Sequence, residues 1–214
     1  MIVDLLSDVD SNLEADLCII GAGAAGITIA REFDGSRQTV LLLESGGLTA
    51  EAETQALYDS DVIGLKHSGI NGARSRMFGG TTNLWGGQSL RFDESNFRVR
   101  PWVPHSGWPL TAEVLDPYYD RAETVLQVGE RLTYEQVCLQ LGLEPPRFDP
   151  RMFRLAVSQW ARCPNLAVAY GDELIKSMCN KCILMNHGKV VRVGNTDEVI
   201  DEYHQLTNTH TAPR

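Results

Sequence analysis

The sequence predicts an α/β fold built on a βαβ unit, from three observations. An apolar run at residues 16–20 enters a glycine turn, a helical pattern follows, and a second apolar run at residues 39–43 ends on an acid. Asp16–Ile20 carries Leu17, Ile19 and Ile20 with too few polar breaks for an exposed face, the pattern of a strand buried in a parallel sheet. Gly21, Gly23 and Gly26 then complete G-x-G-x-x-G, with Ala24 and Ala25 between the last two. Gly21 permits the tight turn, Gly23 lets backbone approach a pyrophosphate, and Gly26 lets the helix pack on the strand. The helix that starts here presents free amides to phosphate. Thr39–Leu43, "TVLLL", reads as the second buried strand. Glu44 ends it, 18 residues after Gly26, where a carboxylate accepts hydrogen bonds from an adenosine ribose, with Ser45 beside it. Strand, glycines, helix, strand and acid in that order predict a Rossmann-like dinucleotide site. The fingerprint does not separate FAD from NAD.

Bulk properties narrow the partners. Hydrophobic residues make up 43% of the 214 residues, enough for a sizeable core. A net charge of −9 argues against a nucleic-acid partner. Residues 1–172 carry 14 Lys+Arg against 23 Asp+Glu, whereas residues 173–214 carry 5 of each, a shift that hints at two origins. No positively led apolar segment opens the sequence, and no apolar run approaches the ~20 residues that span a bilayer. Five cysteines without framework spacing suit a reducing compartment. The expectation is a soluble, cytoplasmic protein with no membrane span, its residues 208–214 a frayed polar tail.

A second glycine cluster, "RSRMFGGTTNLWGGQSLRF" at Arg74–Phe92, holds the pairs Gly79-Gly80 and Gly86-Gly87 with Thr81 and Thr82 between them and Arg76 upstream. Paired glycines let backbone pass close to a flat or anionic ligand, and threonine hydroxyls donate to phosphate or ring atoms. Together, "DLCIIGAGAAGITIAREF", "VLLLESGG" and "RMFGGTTNLWGGQ" resemble the glucose-methanol-choline (GMC) family of FAD oxidoreductases. "RPWVPHSGWPLTAEVLDPYYDRAE" and "FRLAVSQWARCPNLAVAYGDEL" are similar to the segments that follow in that family's sugar- and polyol-oxidising branch. The likeness covers about residues 1–174. It implies an FAD-dependent oxidoreductase acting on CH–OH groups of an alcohol, sugar or polyol. It further implies Gly21, Gly23, Ala24, Ala25 and Gly26 at the pyrophosphate and Glu44 at the adenosine ribose, with Ser45 and Arg76 beside them. Gly79, Gly80, Thr81, Thr82, Leu84, Gly86 and Gly87 are implied near the isoalloxazine. Some members attach flavin through a histidine where Leu84 stands, so the resemblance implies non-covalent FAD. Trp85 stands where the family has an asparagine, and Asn83 is offset from that place.

Leu110–Val128 reads as a helix, with Leu115, Tyr118, Tyr119, Ala122, Val125 and Leu126 as its apolar stripe, Pro117 in its first turn, and Thr111 or Asp116 as cap. Tyr118 and Tyr119 read as core or interface aromatics rather than catalysts. Thr133–Leu141 is a second amphipathic helix, and "GLEPPRFDPR" is a connector. A general base must reach the substrate hydroxyl. His67 and His105 precede the tail on expected loops, and the region where the GMC family carries its catalytic histidine has no counterpart here.

From Leu174 the pattern changes. "LIKSMCNKCILMNHGKVVRVGNTDEVIDEYHQL" resembles the C-terminal end of a polysaccharide-exporting ABC-transporter ATPase, in the order helix, strand "CILMN", His187-Gly188 turn, strand "VVRVG" and a helix capped by Asn195 and Glu198. Val199, Ile200 and Tyr203 form that helix's stripe. No Walker A motif occurs, and Tyr170 stands where the ATPases have a switch histidine, so no ATP hydrolysis is expected. Cys179-x-x-Cys182 lacks a second ligand pair and reads as two cysteines of an ATPase-like helix rather than a zinc or redox site. The expected organisation is a truncated FAD-binding domain over residues 1–174 and an αββα-like tail over 175–214, joined near residues 171–177 by gene fusion. The incomplete core leaves sheet edges open to self-association. A non-catalytic FAD-binding remnant and an ABC ATPase accessory fragment are the alternatives.

Overall fold

The computed structural model describes residues 14–67, 69, 71–149, 151–153, 155–178, 182–186, 189–194, 198, 200 and 201. The architecture is mixed helix and strand, in two compact units: residues up to Leu84 together with residues from Asn165 onward, and Trp85–Pro164.

The first unit opens with strand β1 (Leu17–Ile20), helix α1 (Ala24–Glu32) and strand β2 (Val40–Leu43). β1 and β2 pair in parallel, Leu17 opposite Val40 and Ile20 opposite Leu43, so α1 is the crossover of a βαβ unit. The ladder is extended at both ends, where the Leu17 amide donates to the Thr39 carbonyl and the Gly21 amide to that of Leu43. Asp16 fastens the entrance by accepting from the amide and hydroxyl of Thr39 at 2.7 and 2.8 Å. Those two bonds hold the Asp16 carboxyl below the usual carboxylate range.

Both strands were expected to be buried, and only Ile19 is. Ile20 is 86% exposed and Cys18 is exposed. The sheet has two strands among the described residues. One face carries α1, through Ile19, Ile27 and Ala30, and the side chains that alternate to the other face stay in contact with water.

After β2 come the short helix α2 (Ala52–Ala56) and two 3-10 turns, Asn71–Ala73 and Gly80–Asn83. The second unit contributes β3 (Gln88–Ser89), α3 (Glu94–Phe97), α4 (Ala112–Val125), α5 (Tyr134–Gln140) and β4 (Gln159–Trp160), with β3 and β4 antiparallel. The helices expected over 110–128 and 133–141 are α4 and α5. Thr133 caps α5 in a reciprocal box with Gln136.

α4 departs from its expected form in three ways. None of its residues is buried, and Tyr118 is 58% exposed. Pro117 lies inside the helix, where it removes an internal hydrogen bond, rather than in the first turn. Thr111 holds the cap position but its side chain caps no amide, and its hydroxyl, close to Glu113, lowers the Glu113 carboxyl. Arg91 holds the helix instead. It pairs with Glu123 and Asp120 at 2.6 Å and with Asp116 at 3.7 Å, and those partners push its ionisation upward.

In the first unit the chain resumes as α6 (Leu166–Met178), then β5 (Cys182–Asn186) and β6 (Lys189–Gly194). β5 and β6 form the expected antiparallel hairpin, with a register shift between Leu184 and Met185. Cys182 opens a strand, so it is not a helical residue. α6 ends at Met178, and the chain has left the helix four residues later. α6 runs unbroken through the proposed junction at 171–177. Ile200 is buried. Cys179, His187, Gly188, Asn195, Val199, Tyr203 and residues 208–214 lie outside the described residues. No helix among the described residues is long and apolar enough to cross a membrane.

Candidate functional site

Gly21 sits at φ +100, a left-handed backbone that a side chain disfavours, and it turns the chain from β1 into α1. A Cβ on Gly26 would stand 1.9 Å from the Gly21 carbonyl oxygen, so only glycine lets α1 return this closely over the turn. The first helical bond runs from the Ile27 amide to the Gly23 carbonyl. The amides of Ala24, Ala25 and Gly26 therefore precede the ladder and point out of the helix start. Ala24 and Ala25 are exposed, and a Cβ on Gly21 would meet no atom within 4 Å, so the space beside the turn is open.

The second glycine segment comes back onto this turn. The Gly79 amide donates to the Ala22 carbonyl at 2.8 Å. A Cβ on Gly80 would lie 2.9 Å from the Gly23 Cα, so a side chain there would push the two segments apart. The structure thus brings together, within one unit, the first glycine turn and the Gly79-Gly80 pair, which are far apart in sequence.

The neighbouring side chains divide between this surface and the frame behind it. Glu44 turns its carboxylate onto the backbone. Oε2 accepts from the Ala22 amide at 2.8 Å, and Oε1 from the amides of Ser45 and Gly46 at 2.9 and 3.2 Å. The Ser45 hydroxyl also donates to Oε1, at 3.2 Å, and accepts from Arg76 Nη1 at 2.9 Å.

Thr82, only 6% exposed, spends its hydroxyl internally. It donates to the Gly79 carbonyl at 2.6 Å and accepts from the Leu166 amide at 3.2 Å. Asn83 donates to the carbonyls of Phe78 and Gly80 and accepts from Asn165. Asn165 in turn accepts from the amides of Ala167 and Val168. Thr82 and Asn83 are therefore the socket for the start of α6, while Thr81 is exposed. Leu84 is 59% exposed and carries no nucleophile. Gly86 and Gly87 belong to the second unit, where the Gly87 carbonyl accepts from the Ala161 amide beside the β3–β4 pair and Trp85 Nε1 donates to the Pro164 carbonyl.

Behind the turn, α6 covers α1. Leu166, Tyr170 and Leu174 are buried on it, and Arg31 of α1 stacks 3.7 Å above the Tyr170 ring while pairing with both oxygens of Glu173. Sequence reasoning missed three contributors. Asn165, directly before an apolar helical run, was a readable N-cap signal. Gln55 and Tyr58, which hold Arg76, carried none.

His67 lies in an exposed loop and accepts the Gly69 amide on Nδ1. His105 is exposed at φ +58. Among the described residues, His67 makes no hydrogen bond to the glycine site. A cleft of about 600 Å³ in the second unit, lined by Asp120, Glu123, Gln127, Glu130, Arg131 and Arg162, contains none of the candidate residues.

No protein-family model matches this chain, and no curated protein matches it.

Proposed function

We propose that the first unit is a Rossmann-like nucleotide-binding core that holds FAD non-covalently, in an oxidoreductase of the GMC type acting on an alcohol, sugar or polyol. The observation that carries this reading is the meeting of the two glycine segments at the open start of α1, with the Gly79 amide on the Ala22 carbonyl. The residues present fit the group. Free amides at Ala24, Ala25 and Gly26 suit a pyrophosphate. Gly21 leaves clear space beside the turn, and Glu44 stands at the end of β2, where a ribose would lie. Bound FAD would supply the hydride acceptor for oxidation of the alcohol carbon. In this reading the chain's own part is binding and orientation. The turn amides hold phosphate, Glu44 accepts from a ribose hydroxyl, and Thr81 donates at the second glycine segment. Thr82 supports the frame and does not touch the ligand.

A second reading, a chain that holds FAD without turning over alcohol, is favoured by the exposed face of the two-stranded sheet. Ile20 is 86% exposed there, as in a core that lacks part of its cover. The outer edges of β1 and β2 are then the sites for self-association. For the tail, the proposal is a fused ABC-ATPase end without ATPase chemistry, supported by the β5–β6 hairpin. A full-length oxidoreductase frame carrying the same tail in independent genomes would count against the fusion. A cytoplasmic location belongs to the same proposal.

The test is an absorbance spectrum of gently purified protein before and after acid precipitation. Flavin bands released into the supernatant, and lost in Gly23→Val, support the reading. A folded protein that takes up no flavin from added FAD overturns it. Turnover of alcohols by the yellow protein separates the first reading from the second.

A further inference from the structure

We propose that α4 is the contact surface for a second copy of this chain, two α4 helices lying antiparallel about a twofold axis at Tyr118. The proposal does not depend on the nucleotide-binding reading above.

α4 carries two apolar stripes. At about 3.6 residues per turn, Leu115 and Tyr119 fall on one side of the helix, and Val114, Tyr118 and Ala122 form a second ridge at steps of four. The first stripe is partly covered. Leu115 and Tyr119 are half-buried, and the Tyr119 hydroxyl accepts from the Phe92 amide at 3.3 Å. The second ridge lies about 100° around the helix from the first. It is opposite Asp116, Asp120 and Glu123, the acids that Arg91 holds. Val114 is 52% exposed, Tyr118 is 58% exposed, and Ala122 is exposed. Tyr118 reads from the sequence as a core or interface aromatic, and its exposure removes the core reading.

The charges beside the ridge indicate what covers it. Glu113 directly precedes Val114, and Arg121 directly precedes Ala122. Both therefore leave the same flank of the ridge, about two turns apart, and both are exposed. A twofold axis at Tyr118 runs the helix of a second copy antiparallel to the first. Val114 then meets Ala122 of the second copy, large against small. The two Tyr118 rings meet at the axis, and Glu113 comes beside Arg121 of the second copy, once on each side. A parallel pairing would set Glu113 against Glu113 and Arg121 against Arg121, and like charges oppose it. The surface is thus complementary to itself, as a twofold contact must be, and interdigitated ridges at steps of four are the commonest way for two helices to pack. A contact of about two helical turns falls well short of the roughly 800 Å² per partner of a standard interface, so the dimer is weak, with a dissociation constant on the order of 100 μM.

The test is sedimentation equilibrium of the full chain over a concentration series that spans this constant. Wild type is compared with Tyr118→Glu, Arg121→Glu and the double variant Glu113→Arg/Arg121→Glu. All three positions are exposed, and far-UV circular dichroism serves as the folding control. Wild type is expected to dimerise as concentration rises. Tyr118→Glu, which sets two like charges at the axis, is expected to weaken association at least tenfold. Arg121→Glu is expected to weaken it about fivefold by turning two attractions into repulsions. The double variant is expected to return to within about twofold of wild type, because it exchanges the two charges of each pair. A merely structural effect of Arg121→Glu would not be reversed by the second charge change. Wild type that stays monomeric throughout overturns the proposal. So does a dimer that Tyr118→Glu leaves intact, as one held at the outer edges of β1 and β2 would be, and so does a double variant that associates no better than Arg121→Glu.

Discussion

Helix α1 buries Gly26, Ile27 and Ala30 within nine residues, whereas the fourteen residues of α4 bury none. Their means of attachment differ to match. α1 is held by close backbone approach at Gly26, by Ile27 at 0% exposure and by the cover of α6. α4 is held by one arginine reaching three carboxylates, two of them more than half exposed. Burial is insensitive to salt and intolerant of added atoms. Charge pairing at a surface is the reverse, because solvent screens it. The helix proposed to bind the nucleotide is thus the one that packing fixes, and a site needs that rigidity.

The difference can be broken first at Gly26. Gly26→Ala places a Cβ 1.9 Å from the Gly21 oxygen, and backbone on both sides has little freedom to yield. The expected loss is about 3 kcal/mol or more, with the glycine turn displaced and nucleotide binding abolished, read by thermal melting and ADP titration. Ile27→Ala follows at about 2–4 kcal/mol from lost burial and the cavity left behind, and this loss should be unchanged at high salt.

On the other helix, Arg91→Met should lower stability by about 1–2 kcal/mol at low salt, and by much less at 1 M salt. A salt-independent loss would show that α4 is packed rather than paired. Pro117→Ala sharpens the contrast in the opposite direction. It restores a helical hydrogen bond in α4 and should raise stability by about 1 kcal/mol, seen as an increase in melting temperature.

The smallest effect concerns pH at the entrance to β1. The Asp16 carboxyl is lowered by its bonds to Thr39, so its contribution is present above the ordinary carboxylate range and is lost as pH falls through the lowered value. Asp16→Asn should leave the neutral-pH melting temperature slightly reduced and make the acid-side decline shallower. An unchanged acid limb would remove Asp16 from the latch.

The βαβ order was legible because each of its signals is local: apolar runs, glycines where a turn needs them, and an acid at the end of a strand. α5 was legible for the same reason, its cap and box lying within four residues of each other. The expected burial of Ile20 failed because burial depends on what packs from elsewhere, and among the described residues the sheet has two strands and Ile20 faces away from α1. The stripe of α4 failed likewise. Its helical spacing was real, but nothing in the sequence showed that Arg91 would hold the helix from the side. At the site, the sequence nominated Thr82 as a ligand donor, and the fold gave that hydroxyl to Gly79 and Leu166. Glu44 kept its predicted place at the end of β2 but acquired backbone partners that spacing cannot reveal.

By itself, the sequence determined the local conformations: the strand-turn-helix around Gly21, the capped α5 and the hairpin of the tail. These follow from backbone sterics and from hydrogen bonds made within a few residues. Only the tertiary structure decided that Gly79 and Gly80 would close on Ala22 and Gly23, and that α6 would seat on Thr82. It also decided that the Glu44 carboxylate would turn onto the amides of Ala22, Ser45 and Gly46. Contacts between distant segments depend on how elements pack in three dimensions, and no local pattern encodes that geometry.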